Sequence, residues 1–170
     1  MADTAPLHFD PIVEARRQWV AHGWADAAAG MAAVTSVIRT HRIFLSRIDA
    51  VLRPFDLTFA RFELLTLLSF TRSGSLPMNK IGVRLQVHPT SVTSSVDRLE
   101  AQGFVRRRAH DTDRRTTLVK ILPAGRRTLT RATAVLNGEV FTRTGLSDAA
   151  SAELFSLLRV LRVAEHDFEA

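Results

Sequence analysis

The 170-residue sequence predicts a mainly helical, α+β fold in which two short helices and a basic hairpin sit between longer amphipathic helices at both ends. Three observations carry that expectation. Apolar residues recur at three- and four-residue spacing through most of the chain. Pro89 stands at the first turn of a helix that begins about three residues after the previous helix stops, the pattern of a helix-turn-helix. After Gly103 the periodicity changes to two short runs around a polar stretch, which reads as a hairpin too polar at its tip to be buried.

The elements follow in order. Asp10 to Trp24 reads as a short amphipathic helix, with Pro11 in its first turn and Val13, Arg17, Val20 and Trp24 on one stripe. A longer helix opens near Asp26, carries Val34, Ile38, Leu45, Ile48 and Leu52 on one side, and ends at Pro54. Thr58 is expected to cap Phe59 to Phe70, where Phe62, Leu65 and Leu68 mark a segment buried on several sides. Ser69 to Pro77, with Gly74, reads as a loop. Pro77 to Leu85 turns Met78, Ile81 and Leu85 inward, Gln86 to His88 connects, and the next helix runs from Pro89 to Gln102. The hairpin strands are Phe104 to Ala109 and Thr117 to Leu122, joined by His110 to Thr116. Pro123 opens a helix to about Arg143, and Ser147 caps a last one striped by Leu154, Leu157, Leu158 and Leu161. The expected organisation is an N-terminal extension and first long helix over 1–54, a nucleic-acid-binding module over 55–122, and C-terminal helices over 123–170.

Composition narrows the function. There is no Cys, which excludes disulfides, a thiolate nucleophile and a thiol-oxidation sensor. The longest apolar run, Leu64 to Phe70, is far short of the roughly 20 residues that cross a bilayer. No basic-then-apolar leader is visible at Met1 to Phe9, so a cytoplasmic protein without membrane partners is expected. The charge is unevenly placed. Arg72 to Arg131 holds 13 basic residues against 4 acidic ones, the segment before it is neutral, and the segment after it is acidic. Of the 23 cations 21 are Arg, whose rigid fork suits phosphate oxygens and guanine edges. A basic block inside a neutral-to-acidic scaffold points to a polyanion partner.

On the second short helix Val92, Val96 and Leu99 fall together, whereas Thr90, Ser94, Asp97 and Ala101 lie opposite, flanked by Ser91, Thr93 and Arg98. A merely solvated face usually carries Glu and Lys, which favour helix where Ser and Thr do not. Small hydroxyls let a helix come close to a major groove and bond both base edges and phosphates. On the hairpin, Arg106, Arg107 and Arg108 line one strand and Asp113, Arg114 and Arg115 lie at the tip. Adjacent cations repel unless an anion receives them, and a loop Arg can enter the narrow minor groove, with an acid two residues before it as brace. A charged edge strand that blocks sheet aggregation is the bland alternative.

Helix-turn-helix followed by a basic hairpin is a winged helix, and residues 31 to 163 resemble the MarR family of bacterial transcriptional regulators. The resemblance rests on Leu57-Thr58 with Phe62 and Leu65, Lys80-Ile81-Gly82 to Leu85, and His88-Pro89-Thr90-Ser91-Val92-Thr93. It continues through Asp97-Arg98-Leu99-Glu100 with Gly103-Phe104-Val105, and Asp113-Arg114-Arg115 before Pro123-Ala124-Gly125. It implies a winged helix-turn-helix protein with a helical dimerisation region formed by the N- and C-terminal helices, a homodimer on a palindromic operator in double-stranded DNA. It also implies base or phosphate contacts from Thr90, Ser91, Thr93, Ser94 and Arg98, and a wing role for Asp113, Arg114 and Arg115; Arg107 joins the candidate DNA contacts through its place in the basic strand. One departure is Leu122, where the family commonly has a capping Thr before the Pro that opens the next helix.

Such regulators resemble ligand sensors with a pocket for aromatic or anionic molecules between the dimer helices and the winged helix. The positions that correspond are Trp19 and Trp24, Arg39, His41, Arg42 and Phe44, and Arg61, Phe62 and Glu63. An N-terminal helix bearing Trp is similar to the urate-responsive subgroup, with Trp19 and Glu63 at its Trp and acidic positions, but no Arg precedes Arg98 in the recognition helix, so that constellation is incomplete. Trp and Phe at helical spacing also serve as ordinary core. No His-x-x-x-His pair, phosphate loop or nucleophile elbow is present, so neither metal, cofactor nor enzymatic activity is expected. The competing reading is an architectural or loosely specific DNA-binding protein without an effector.

Overall fold

The computed structural model describes residues 6–109 and 116–169, and the chain divides into two compact units, Met1–Ala50 and Val51–Ala170. In the first unit α1 (Pro11–Ala21) starts at Asp10, whose Oδ1 accepts from the Ile12 and Val13 amides at 2.8 and 3.3 Å. Those are two of the N–H groups that a helix start leaves without partners. The helix closes before Trp24 because the chain turns at His22 and Gly23. Trp24 then lies edge-to-face against Trp19, centroids 5.0 Å apart, and stacks on His22. α2 (Ala25–Leu52) begins one residue ahead of Asp26, so that carboxylate sits in the first turn and complements the helix dipole instead of capping. Pro54 stops α2 as expected, and the chain passes into a 3-10 turn, Arg53–Phe55.

The second unit holds α3 (Phe59–Ser69), β1 (Ser75–Pro77), α4 (Met78–Leu85), α5 (Pro89–Ala101), β2 (Val105–Ala109), β3 (Thr117–Ile121), α6 (Pro123–Leu136) and α7 (Asp148–Ala164). Its core is aliphatic: Leu64, Leu65 and Leu68 from α3, Ile81 from α4, Val92, Val96 and Leu99 from α5, and Val119 from β3 are all essentially inaccessible. β3 is the middle strand of an antiparallel sheet ordered β1-β3-β2, with Arg107 opposite Val119 and Leu76 opposite Val119 on the other side. β1 lies where the sequence reads as a loop. Three residues ending in Pro77 are too few to show alternation, and only the free edge of β3 makes them a strand.

Of two further helix starts, Thr58 departs from expectation and Leu122 follows it. Thr58 occupies the cap position of α3 with extended backbone, but its hydroxyl makes no cap bond; it accepts from Arg61 Nε at 3.3 Å. Leu122 has no capping side chain, and the start of α6 is held by backbone instead: the Leu122 amide donates to the Phe104 carbonyl at 2.8 Å. Gly125 makes this approach possible, because a Cβ there would collide with that same carbonyl oxygen. α6 also stops short of Arg143, passing into a π-helical turn at Asn137–Phe141. Ser147 caps α7 as expected, its Oγ accepting from the Ala150 amide at 3.2 Å.

Candidate nucleic-acid interface

α5 is placed by its own local chemistry. Gln86 ends α4 in the left-handed conformation at φ 53, which reverses the chain within three residues. His88 then caps α5, its Nδ1 accepting from the Thr90 amide at 3.3 Å, and Pro89 occupies the first turn with its φ already helical. Val92, Val96 and Leu99 anchor one side in the core, which leaves Thr90, Ser91, Thr93, Ser94, Asp97 and Arg98 exposed. The Thr93 hydroxyl is engaged with the Pro89 carbonyl at 3.1 Å. The Arg98 carbonyl accepts from the Gln102 amide at 3.1 Å, but its guanidinium has no hydrogen-bond or ion-pair partner among the described residues.

The wing strand splits its three arginines. Arg106 and Arg108 point outward, and Arg107, between them in the pleat, turns back to α5. Its Nη1 donates to Glu100 Oε2 at 2.6 Å, its Nη2 pairs with Asp97, and its backbone amide donates to Glu100 Oε1 at 2.7 Å. The Arg107 amide and guanidinium together hold the Glu100 carboxyl below the usual carboxylate range. By sequence Arg107 reads with its neighbours as one of three cations available to DNA; only strand register distinguishes it from them. Asp113, Arg114 and Arg115 lie outside the described residues.

The expected effector positions are divided between the two units. Trp19 and Trp24 meet in the first unit, where Arg39, His41 and Arg42 are exposed and Phe44 is half-buried with the Arg47 guanidinium 5.8 Å from its ring centroid. Neither Arg39 nor Arg42 is thus a buried charge awaiting an anion. In the second unit the consecutive Arg61, Phe62 and Glu63 diverge around α3, as a helix requires. Phe62 is a core residue stacked on Phe59. Glu63 faces a narrow space of about 30 Å³ beside Ser91 and Ser95, and burial raises its carboxyl above the usual range. Arg61 borders a cavity of about 600 Å³ with Thr58, Ser94, Ser95, Asp97, Arg98 and Ala101; its Nη1 is closed off from solvent and has no hydrogen-bond partner among the described residues. A second cavity of about 560 Å³, against Met78, Val83, Val87 and Val92 at the turn between α4 and α5, has no charged residue in its lining.

The MarR family pattern matches residues 57–117 of this chain. Sco5413, a MarR family transcriptional regulator from Streptomyces coelicolor, is 46% identical and superposes with a TM-score of 0.77 over 84% of this chain and 99% of its own. Sco3205, a MarR family transcriptional regulator of the same organism solved in complex with DNA, is 21% identical, with a TM-score of 0.67 over 76% of this chain and 82% of its own. The uncharacterized HTH-type transcriptional regulator YhbI of Bacillus subtilis is 29% identical over 85 residues; that match spans half of this chain and 54% of YhbI. No helix among the described residues is long and apolar enough to cross a membrane. A winged helix with a capped, hydroxyl-faced recognition helix, a family match over that module and near full-length likeness to Sco5413 together make this chain a member of the MarR family of transcriptional regulators.

Proposed function

We propose that the protein is a homodimeric repressor that binds a palindromic operator and is released by a small organic anion. The observation that carries DNA recognition is the outward face of α5, where short hydroxyls and an unpaired Arg98 stand clear of a fully buried apolar side. Thr90, Ser91, Thr93 and Ser94 approach base edges and phosphates in the major groove, with Arg98 on the backbone or a guanine edge. Arg106, Arg108, Arg114 and Arg115 supply the wing's share of the polyanion attraction. That the relative Sco3205 was solved in complex with DNA supports DNA as the partner.

Dimerisation is supported by exposed apolar surface on α7: Phe155, Leu157, Val160 and Leu161 are all more than half exposed among the described residues. Contiguous patches of this kind mark interaction sites. Two recognition helices would then read half-sites about 34–36 Å apart, one helical turn. The effector reading is supported by the Arg61 cavity, where Arg61 and Arg98 set two cationic side chains beside the face that meets DNA. An occupant there competes with the duplex.

Footprinting after enrichment of binders from a random duplex library tests the first claim. A protected palindrome with a specificity ratio of about 10³ or more is expected. Smooth coverage of every duplex would leave only a loosely specific architectural binder. Exchange of Thr93 or Ser94 for Ala should shift sequence preference, while Arg115→Ala should weaken all duplexes alike. Titration of the wild-type chain and Arg61→Ala with aromatic carboxylates tests the effector: heat and loss of operator binding are expected in the wild type alone.

A further inference from the structure

We propose that Arg107 is a positioning residue: reaching from β2, it clamps α5 through Asp97 and Glu100, sets the recognition helix against the wing and cancels that helix's two outward carboxylates. The inference rests on the DNA-binding reading above and assigns Arg107 a role in it other than contact with a phosphate.

Four observations bear on it. Both terminal nitrogens of the guanidinium are taken, Nη1 by Glu100 and Nη2 by Asp97, and Nη2 also approaches the Thr93 carbonyl at 3.4 Å. Thr93, Asp97 and Glu100 are spaced by four and three residues, so they form one ridge of α5, and Arg107 lies along it. The same carboxylate that holds the side chain also accepts from the Arg107 amide, which ties the backbone of β2, and not just a flexible tip, to the helix. Arg107 is 27% exposed at its side chain, whereas Arg106 and Arg108 lie on the open side of the strand.

The charge balance gives the clamp its consequence for binding. α5 carries Asp97 and Glu100 against Arg98 alone. Without Arg107 the helix that enters a phosphate-lined groove would be net acidic, and repulsion strengthens as water leaves the interface. With it, the carboxylates spend their charge inward and Arg98 remains to meet the duplex. Lys cannot replace Arg here, because a single ammonium cannot bridge two carboxylates with a planar fork.

A mutant cycle tests the clamp on a duplex enriched from random sequence by the wild-type protein. Arg107→Ala and Glu100→Gln are each expected to weaken binding by about tenfold, and the double variant no further, since both break one linkage. The slope of log affinity against log salt should stay at its wild-type value in all three, because no phosphate contact is removed. Arg107→Lys should keep the charge and still bind weakly. A direct phosphate contact predicts the opposite pattern: Arg107→Ala reduces the slope by about 0.9, Arg107→Lys recovers it, and Glu100→Gln, which frees the guanidinium, binds as well as wild type or better. That pattern overturns the proposal. If Arg107→Ala fails to fold by circular dichroism, Arg107→Lys and Glu100→Gln decide it by the same signs. A wild-type chain that binds no duplex overturns the DNA reading, and the clamp with it; binding with additive losses overturns the clamp alone.

Discussion

Glu63 and Glu100 are carboxylates whose environments push them in opposite directions. Burial raises Glu63, which faces a narrow space beside Ser91 and Ser95, while the Arg107 amide and guanidinium lower Glu100. A carboxyl whose pKa rises on folding holds its proton more tightly in the native state, so its favourable contribution is present below its unfolded pKa and is lost as pH climbs through the folded one. Glu63→Gln removes that loss. The variant should be more stable than wild type at neutral pH and level with it in acid, as read from urea midpoints across a pH series. Glu100 has the reverse sign: its contribution is present above the unfolded pKa and fades as pH falls through the lowered folded value. Among the effector candidates, Phe62 shows how residue type can mislead. An aromatic ring fits a ligand pocket as well as a core, and only its 6% exposure places it in the latter.

Starts of elements are more legible than their partners. Asp10, Pro89 and Ser147 act within four residues of themselves, so the helix ends they govern can be read locally. β1 depends on β3, more than 40 residues away, and has no signal of its own. The junction of β3 with α6 shows the same dependence. Ala is the better helix former by about 1 kcal/mol, so propensity alone would favour Gly125→Ala. The Phe104 carbonyl occupies the place that the new methyl needs, and backbone on both sides resists movement. A net loss of about 1–3 kcal/mol is expected, measured by denaturant unfolding at constant slope. A gain in stability would mean that α6 does not hold the close approach to the Phe104 carbonyl described above.

The charge asymmetry of the chain belongs to the whole molecule. The basic excess between Arg72 and Arg131 falls on the winged helix and on α6, and the acidic C-terminal segment carries the exposed apolar stripe of α7. If that stripe joins two copies, Leu157→Glu with Leu161→Glu buries like charge against itself. Sedimentation should then show a monomer where the wild type is a dimer, and operator affinity should fall by at least tenfold as the two half-sites cease to be read together. Core truncation gives a contrasting case: Leu65→Ala, at a fully buried position, should cost about 2–5 kcal/mol of stability and lower DNA binding only through loss of folded protein.

From the sequence by itself came the helix-turn-helix with its wing, the hydroxyl-rich outer face of α5, the basic block and the absence of thiol chemistry. Each of these is written in spacing of three to four residues, in single caps or in composition. Tertiary structure alone decided that Arg107 faces inward between two outward arginines, that Arg61, Phe62 and Glu63 reach three different environments, and that a third strand completes the sheet. The physical reason is range. Helical periodicity and caps are set by neighbours along the chain, whereas the burial of a charge or the partner of a strand is set by elements that meet only after the core has closed.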